Sequence, residues 1–155
     1  MTQEPIRAVI GVSYRTHPKL ATFYVERSAH MENYPGVWSL PSIQHTVGEL
    51  SDPHDLRAAQ KIFARMSAER LYNSPVAVLR HLISGSSDEN PMGRMVHLNL
   101  YHMGLLEEPL LNDRYYTQSA WLTGEGFVEK TMFAPIPCGL CTKLWAQYQA
   151  QNCIP

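Results

Sequence analysis

Charge is the first thing in short supply. Only 17% of the 155 residues are Asp, Glu, Lys or Arg, against roughly 25% in an average soluble domain. Neither sign dominates, since 13 basic and 14 acidic side chains leave a formal net charge of −1 and a pI near 6.6. Sequence-independent nucleic-acid binding rests on neutralising many phosphates, so no nucleic-acid partner is expected. No window approaches the ~18 consecutive apolar residues of a membrane span, and no membrane partner is expected either. Met1-Thr2-Gln3-Glu4-Pro5 carries no basic run followed by an apolar stretch, so no secretory leader is visible. Cysteine is scarce too: Cys138, Cys141 and Cys153 are the whole complement, crowded at one end. An odd, clustered set is not a disulfide framework. Internal repeats, low-complexity tracts and Gly/Ser linkers are missing as well. What remains is a chain that is 45% hydrophobic, enough to fill one core and too much for disorder. The expectation is one cytoplasmic domain over 1–155.

Strand signals open the chain. Arg7 to Arg15 is rich in β-branched residues, His17-Pro18-Lys19 reads as a turn, and Leu20 to Arg27 reads as the returning strand. A loop from His30 ends in Pro35-Gly36, and a short apolar run, Val37 to Leu40, follows with Trp38 as its anchor. The clearest helix starts near Asp52, with Asp52 as N-cap, Pro53 at the first helical position and Asp55 as the capping-box acid. Leu56, Ala59, Phe63, Met66 and Leu71 follow at helical spacing, with Ile62 widening the stripe. Strands are predicted over Val76 to Ile83 and Met95 to Met103, joined by the polar loop Ser84 to Arg94. Thr123 caps a short helix to Lys130, and a closing helix over about Gly139 to Gln149 shows Leu140, Leu144, Trp145 and Tyr148 on one face. This order predicts a mixed α/β (α+β) sandwich.

Three runs point further: Val25-Glu26-Arg27-Ser28, then Pro35-Gly36-Val37-Trp38-Ser39-Leu40-Pro41, then Gly48-Glu49 ahead of the helix. With Trp121-Leu122-Thr123 and Glu125 downstream, this text resembles the Nudix superfamily. Its members carry an R-S strand end, G-x-W-x-L-P-G-G, the Nudix box and a late W-x-x-x-E. The resemblance spans roughly Arg7 to Lys130. It implies an α/β/α sandwich with a mixed, curved sheet between flanking helices and a ligand cleft against that sheet. Arg27 and Trp38 are then ligand-binding candidates, and a homodimer is the expected assembly.

The chemistry-bearing part of the box is degenerate. The family pattern is G-x5-E-x7-R-E-U-x-E-E-x-G-U, with U aliphatic. Matching the Ala58-Ala59 pair, with a short insertion before the helix, puts Lys61 on the arginine. Ile62 then falls on the first glutamate, and Arg65 and Met66 on the paired ones. Ser42 and Ile43 replace the two glycines. An ungapped match puts Arg57 on the arginine and still finds no acids. Nudix hydrolysis relies on helix carboxylates to hold divalent ions, and Mg²⁺ wants oxygen ligands in near-octahedral geometry. A guanidinium and a thioether supply none, so no metal site and no cofactor are expected. Arg65 or Lys61 is either a direct partner for phosphate or carboxylate oxygens or an ordinary solvated base.

Other candidates are weaker motifs. His45 with Glu49 fits general acid–base chemistry, although His45, Asp52, His54 and Asp55 also suit a plain polar loop. Strand alternation puts His97, Asn99 and Tyr101 on one face, which describes a polar cleft or a solvent-facing strand; His81 joins that row if the register allows. Tyr115, Tyr116 and Trp121 offer stacking surfaces or core packing. Cys138-Gly139-Leu140-Cys141 has the spacing of a redox pair or half a zinc site, or simply packs.

Two functional classes follow. One is a repurposed, metal-independent biosynthetic enzyme binding a small polar or phosphorylated metabolite. His45, Glu49 and His97 would be catalytic there, with Arg27, Trp38, Lys61, Arg65, Asn99, Tyr101 and Tyr116 as ligand contacts. The other is an inactive Nudix-like sensor or interaction domain. A third option, atypical hydrolysis of nucleoside diphosphates, would use Mg²⁺ held by Glu49, Asp52 and Glu125 or Glu129.

Overall fold

A β-rich opening, one strongly amphipathic helix and a polar-faced closing helix fold into layers. A computed structural model of the chain describes residues 4–31, 34–72, 76–89, 93–105, 108–131 and 139–152. Strands Ile6–Val12 (β1) and Tyr14–Arg15 (β2) are followed by Ala21–Arg27 (β3), Trp38–Ser39 (β4) and Ser42–Gln44 (β5). Helix Leu56–Glu69 (α1) precedes Leu71–Tyr72 (β6), Val76–Ser87 (β7), Val96–Leu105 (β8), Leu110–Leu111 (β9) and Tyr116–Leu122 (β10). Helices Gly124–Thr131 (α2) and Leu140–Asn152 (α3) complete the chain. The main sheet runs β5-β1-β8-β7, with β1 and β8 parallel and the other pairs antiparallel. A second sheet runs β10-β3-β2, with β4 also on β3. The expected first strand is therefore two: at Ser13 the chain leaves the main sheet, and Tyr14 and Arg15 pair with Thr22 and Ala21.

The sheets separate two apolar layers. On one side α1 lays Ala59, Ile62, Phe63 and Met66 against Val9, Tyr101 and Met103. On the other, α3 buries Leu144, Trp145 and Tyr148 against Ala8, Ile10, Leu98 and Leu100. Trp145 is pinned there, its indole N–H donating to Thr22 Oγ1 at 3.0 Å. This is the α/β/α sandwich expected, with its mixed sheet and flanking helices. No helix among the described residues is long and apolar enough to cross a membrane.

Two boundaries differ from the sequence reading. The α1 cap is Asp55, whose carboxylate accepts from Ala58 N–H at 3.1 Å, while Asp52 closes the preceding turn on His54 N–H at 2.9 Å. A helix begun at Pro53 would commit that carbonyl to the N–H four residues on; here it accepts from Tyr101 Oη–H at 2.6 Å. Strand β7 also runs four residues past Ile83, pairing Ser84, Gly85, Ser86 and Ser87 with Asn99, Leu98, His97 and Val96. The Ser/Gly run that mimics a loop is a packing requirement, because a Cβ on Gly85 would lie 2.6 Å from Leu144 Cδ2 under α3.

Tyr101 is fully buried, and burial, helped by Asp52 and Asp55, pushes its hydroxyl pKa up from 10.0 to about 12. Tyr101→Phe should cost ~1–3 kcal/mol by stranding the Pro53 carbonyl, read from urea unfolding. Because the folded pKa is raised, the wild type should lose stability as pH rises from 10.0 to about 12, while the Phe variant should lose less over that span.

Candidate functional site

Edge strand β5 organises the chemistry. Its outer side has no strand neighbour, so the carbonyls of Ser42 and Gln44 need donors from elsewhere. Arg70 NH1 donates to Ser42 O, and Arg65 NH2 donates to Gln44 O at 3.0 Å. Tyr116 Oη accepts from Ser42 N–H at 3.0 Å and donates to Ser42 O at 3.1 Å. Arg70 also lies 4.2 Å over the Tyr115 ring. Two guanidinium groups thus tie the end of α1 to β5, and Tyr116 ties β10 to the same strand.

Beside this strand lie two connected hollows. A mainly apolar cavity of about 120 Å³ sits between the main sheet, β3–β4 and the start of α3. Ile6, Ala8, Ile10, Val96 and Leu98 form its floor, and Val37, Leu140 and Cys141 form its walls. Tyr34 also lines it, with a backbone φ of 53°, a left-handed conformation uncommon outside glycine. Glu89 also lines the cavity, and Ser39 Oγ lies 3.1 Å from Cys141 Sγ. The second hollow, about 300 Å³, is lined by Arg27, His30, Arg70, Arg114 and Tyr115, with no carboxylate in its lining among the described residues. Arg27, Ser42 and Gln44 line both. Burial holds the Arg27 pKa below the usual arginine value, with Arg70 lowering it further against Tyr116 and Cys141; a guanidinium stays charged nonetheless. Burial raises the Tyr34 hydroxyl, with Cys141 adding to the rise.

The residues singled out in the sequence disperse. Arg27 is in the site, and Arg65 is at its edge. Lys61 shares an open, mixed-charge hollow on α1 with Glu49, Asp55, Arg57 and Arg65. Trp38, Tyr101 and Tyr116 are core residues, which corrects their reading as ligand contacts: a large ring on an inward-facing position is worth more in the core than at a rim. Glu49 pairs with Arg65 at 3.2 Å rather than with His45. It also closes a reciprocal turn with Thr46, accepting from Thr46 N–H at 2.8 Å while its own N–H donates to Thr46 Oγ1 at 3.3 Å. His45, His97 and Asn99 meet in a separate groove on the α1 side of the sheet, across from the apolar cavity. His81 joins them through Ser84 Oγ at 2.7 Å, its pKa lowered by burial and by His54 against Asp52. Cys138 and Cys153 lie outside the described residues, and Cys141 is free and buried. Arg70, Arg114 and Tyr34 escaped the sequence reading; only Arg70, closing the helix, had a positional signal.

No protein-family model matches the chain, and no curated protein matches it. Solved structures do. A Nudix hydrolase from Alicyclobacillus acidocaldarius superposes with TM-score 0.71 at 13% identity, over 97% of this chain and 91% of that one. A MutT protein from Methanosarcina mazei Go1 matches with TM-score 0.65 and 13% identity, over 98% and 99%. The Nudix domain of Shewanella oneidensis NrtR, solved with ADP ribose, gives 0.64 and 14%, over 99% and 90%. The chain has the Nudix fold. The fold's usual Mg²⁺ does not suit the donors found here. At the helix positions matched to the box, Ile62 and Met66 are sealed in the core and Arg65 is cationic. Among the described residues no group of three His, Cys, Asp or Glu can hold a metal. That finding also corrects the third option, since Glu49, Asp52 and Glu125 or Glu129 do not assemble: Glu125 and Glu129 ride on α2, which packs through Phe127 on Tyr24.

The Thr46 N–H, Arg65 and His45 together hold the Glu49 carboxyl below the ordinary glutamate value against partial burial. Its contribution to the turn is present above that ordinary value and is lost as pH falls through the depressed one. Side-chain carbonyl NMR should show the low titration directly. In Arg65→Gln it should rise while staying below ordinary glutamate, because the Thr46 N–H remains.

Proposed function

We propose that this Nudix-fold protein binds, without metal, a small molecule that joins a flat or apolar part to an anionic group. The single supporting observation is the shared border of the two hollows: Arg27, Ser42 and Gln44 belong to both. An apolar ring seated among Ile6, Ala8, Val96 and Leu98 would leave its anionic end beside Arg27, Arg70 and Arg114. Planar guanidinium forks suit phosphate and carboxylate oxygens, and apolar cavities with a few convergent polar groups are the usual form of a ligand site. In this reading cationic side chains take over the charge neutralisation that a divalent ion would provide.

Binding is favoured over catalysis because Glu49 is committed to Thr46 and Arg65, and His45 and His97 line a groove on the opposite face. The acid–base candidates Glu49, His45 and His97 therefore do not face the ligand. The reading is that of a binding or sensing protein; a homodimer and a cytoplasmic setting belong to it as the resemblance and composition imply.

ADP ribose, seen in the NrtR domain, is the first probe, since it has a flat base and a diphosphate. Calorimetry should find binding that EDTA leaves unchanged. Arg114→Ala and Arg70→Lys should each weaken it about tenfold or more, the loss of a charge-assisted contact. Phosphorus NMR should find the ligand intact after incubation with Mg²⁺. Magnesium-dependent cleavage, or affinity indifferent to both substitutions, would remove this reading.

A further inference from the structure

The register of the main sheet lines up a row of side chains that the ligand cavity does not use. Arg7 on β1 is the partner of His97 on β8, and His97 is the partner of Ser86 on β7. On the other side of β1, His45 N–H donates to Arg7 O at 2.9 Å, continuing the β5 pairing. His45, Arg7, His97 and Ser86 therefore cross all four strands in one rung. Asn99 and Ser84 stand opposite each other in the next rung, joined by a hydrogen bond from Ser84 Oγ. Alternation puts this row on the face that carries Val9 and Tyr101, where α1 covers the sheet. Beyond the helix these rungs, half-buried at Arg7, His45, His97 and Asn99, line with Leu50, Ser51 and Pro53 a groove of about 370 Å³.

Among the described residues no carboxylate lines this groove. The Arg7 guanidinium has neither ion pair nor hydrogen bond among the described residues. His45 Nδ1 is 2.7 Å from the Thr46 carbonyl, so it carries the proton and fixes the tautomer. That leaves Nε2 buried and without a partner among the described residues. Such a nitrogen accepts from a P–OH when neutral and donates to a P–O⁻ when charged. Ser86 Oγ is bonded to His97 Nδ1, which holds the second imidazole in place. A free arginine fork, two oriented imidazoles and hydroxyl groups make a donor-rich environment for a tetrahedral anion, with Glu49 near His45 and Asp52 near His81 as the acids closest to it. We infer that this rung is a binding site for a phosphate group, separated by the sheet from the cavity and arginine groove above.

Titration with inorganic phosphate and, separately, phenyl phosphate tests it by NMR of histidine ring and arginine Nε–H signals. Saturable shifts of His45, His97 and Arg7 are expected. Arg7→Ala should weaken the binding read at His45 and His97 by about tenfold or more, and Arg70→Lys should leave it unchanged. Arg7→Gln, which keeps the side-chain length, carries the same expectation should the alanine variant fail to fold. Tighter binding of phenyl phosphate identifies a phosphate ester as the natural occupant; tighter binding of inorganic phosphate identifies the free ion. Unmoved His45 and His97 signals in a folded protein, or shifts indifferent to Arg7, overturn the inference. Movement at Arg70 and Arg114 alone would leave the proposed function standing and remove this site; movement at Arg7, His45 and His97 alone would do the reverse.

Discussion

An edge strand has half its backbone polar groups facing away from its only neighbour, and something must satisfy them. In strand β5 the outward groups belong to Ser42 and Gln44, and the donors come from the last turns of α1 as Arg65 and Arg70, with Tyr116 closing on Ser42 from β10. Main sheet, helix and second sheet are joined there. The same contacts set the border between the apolar cavity and the arginine groove, because Ser42 and Gln44 line both. Backbone satisfaction and site construction are one event in this protein: a charge drawn in to complete the strand also charges the groove beside it.

That coupling accounts for the chemistry of the helix. Carboxylates on the β5 side of α1 would face outward carbonyls and repel them unless a cation stood between. Arg65 and Arg70 supply N–H donors to those carbonyls directly. The neighbouring positions Ile62 and Met66 then turn into the core beside Phe63. Glu49, ahead of the helix, balances Arg65 and ties off the Thr46 turn. The residues of this helix and of the turn before it thus form one consistent set, each fitting the others.

Much of this was legible in the sequence. Apolar spacing located α1 and α3, Thr123 located the start of α2, where its hydroxyl accepts from Gly126 N–H at 3.1 Å, and the P-G-x-W-x-L-P run carried the fold. What failed did so for tertiary reasons. Asp52 and Asp55 are equally good caps locally, and Tyr101, distant in sequence, decides between them by taking the Pro53 carbonyl. Ser84 to Ser87 look like a loop until Leu144 is laid across Gly85. Trp38 is a ligand candidate by resemblance and Tyr116 by its flat ring, yet burial claims both rings. Periodicity placed His97 and Asn99 on a common face; it could not say that the apolar cavity would lie on the other one.

That last point bears on how the fold divides its surface. A sheet covered on both faces ordinarily reads as continuous apolar strands, and β1 and β8 follow this where helices cover them. Beside its helix, each face has a stretch that lines a hollow. On the α3 side that stretch keeps the apolar character of Ile6, Val96 and Leu98. On the α1 side Arg7, His97 and Asn99 replace it. Opposite chemistry on alternate residues of the same strands is what strand geometry permits at no cost in backbone. One short span of β1 and β8 therefore floors an apolar cavity on one face and a donor-rich groove on the other, with the sheet as the wall between them.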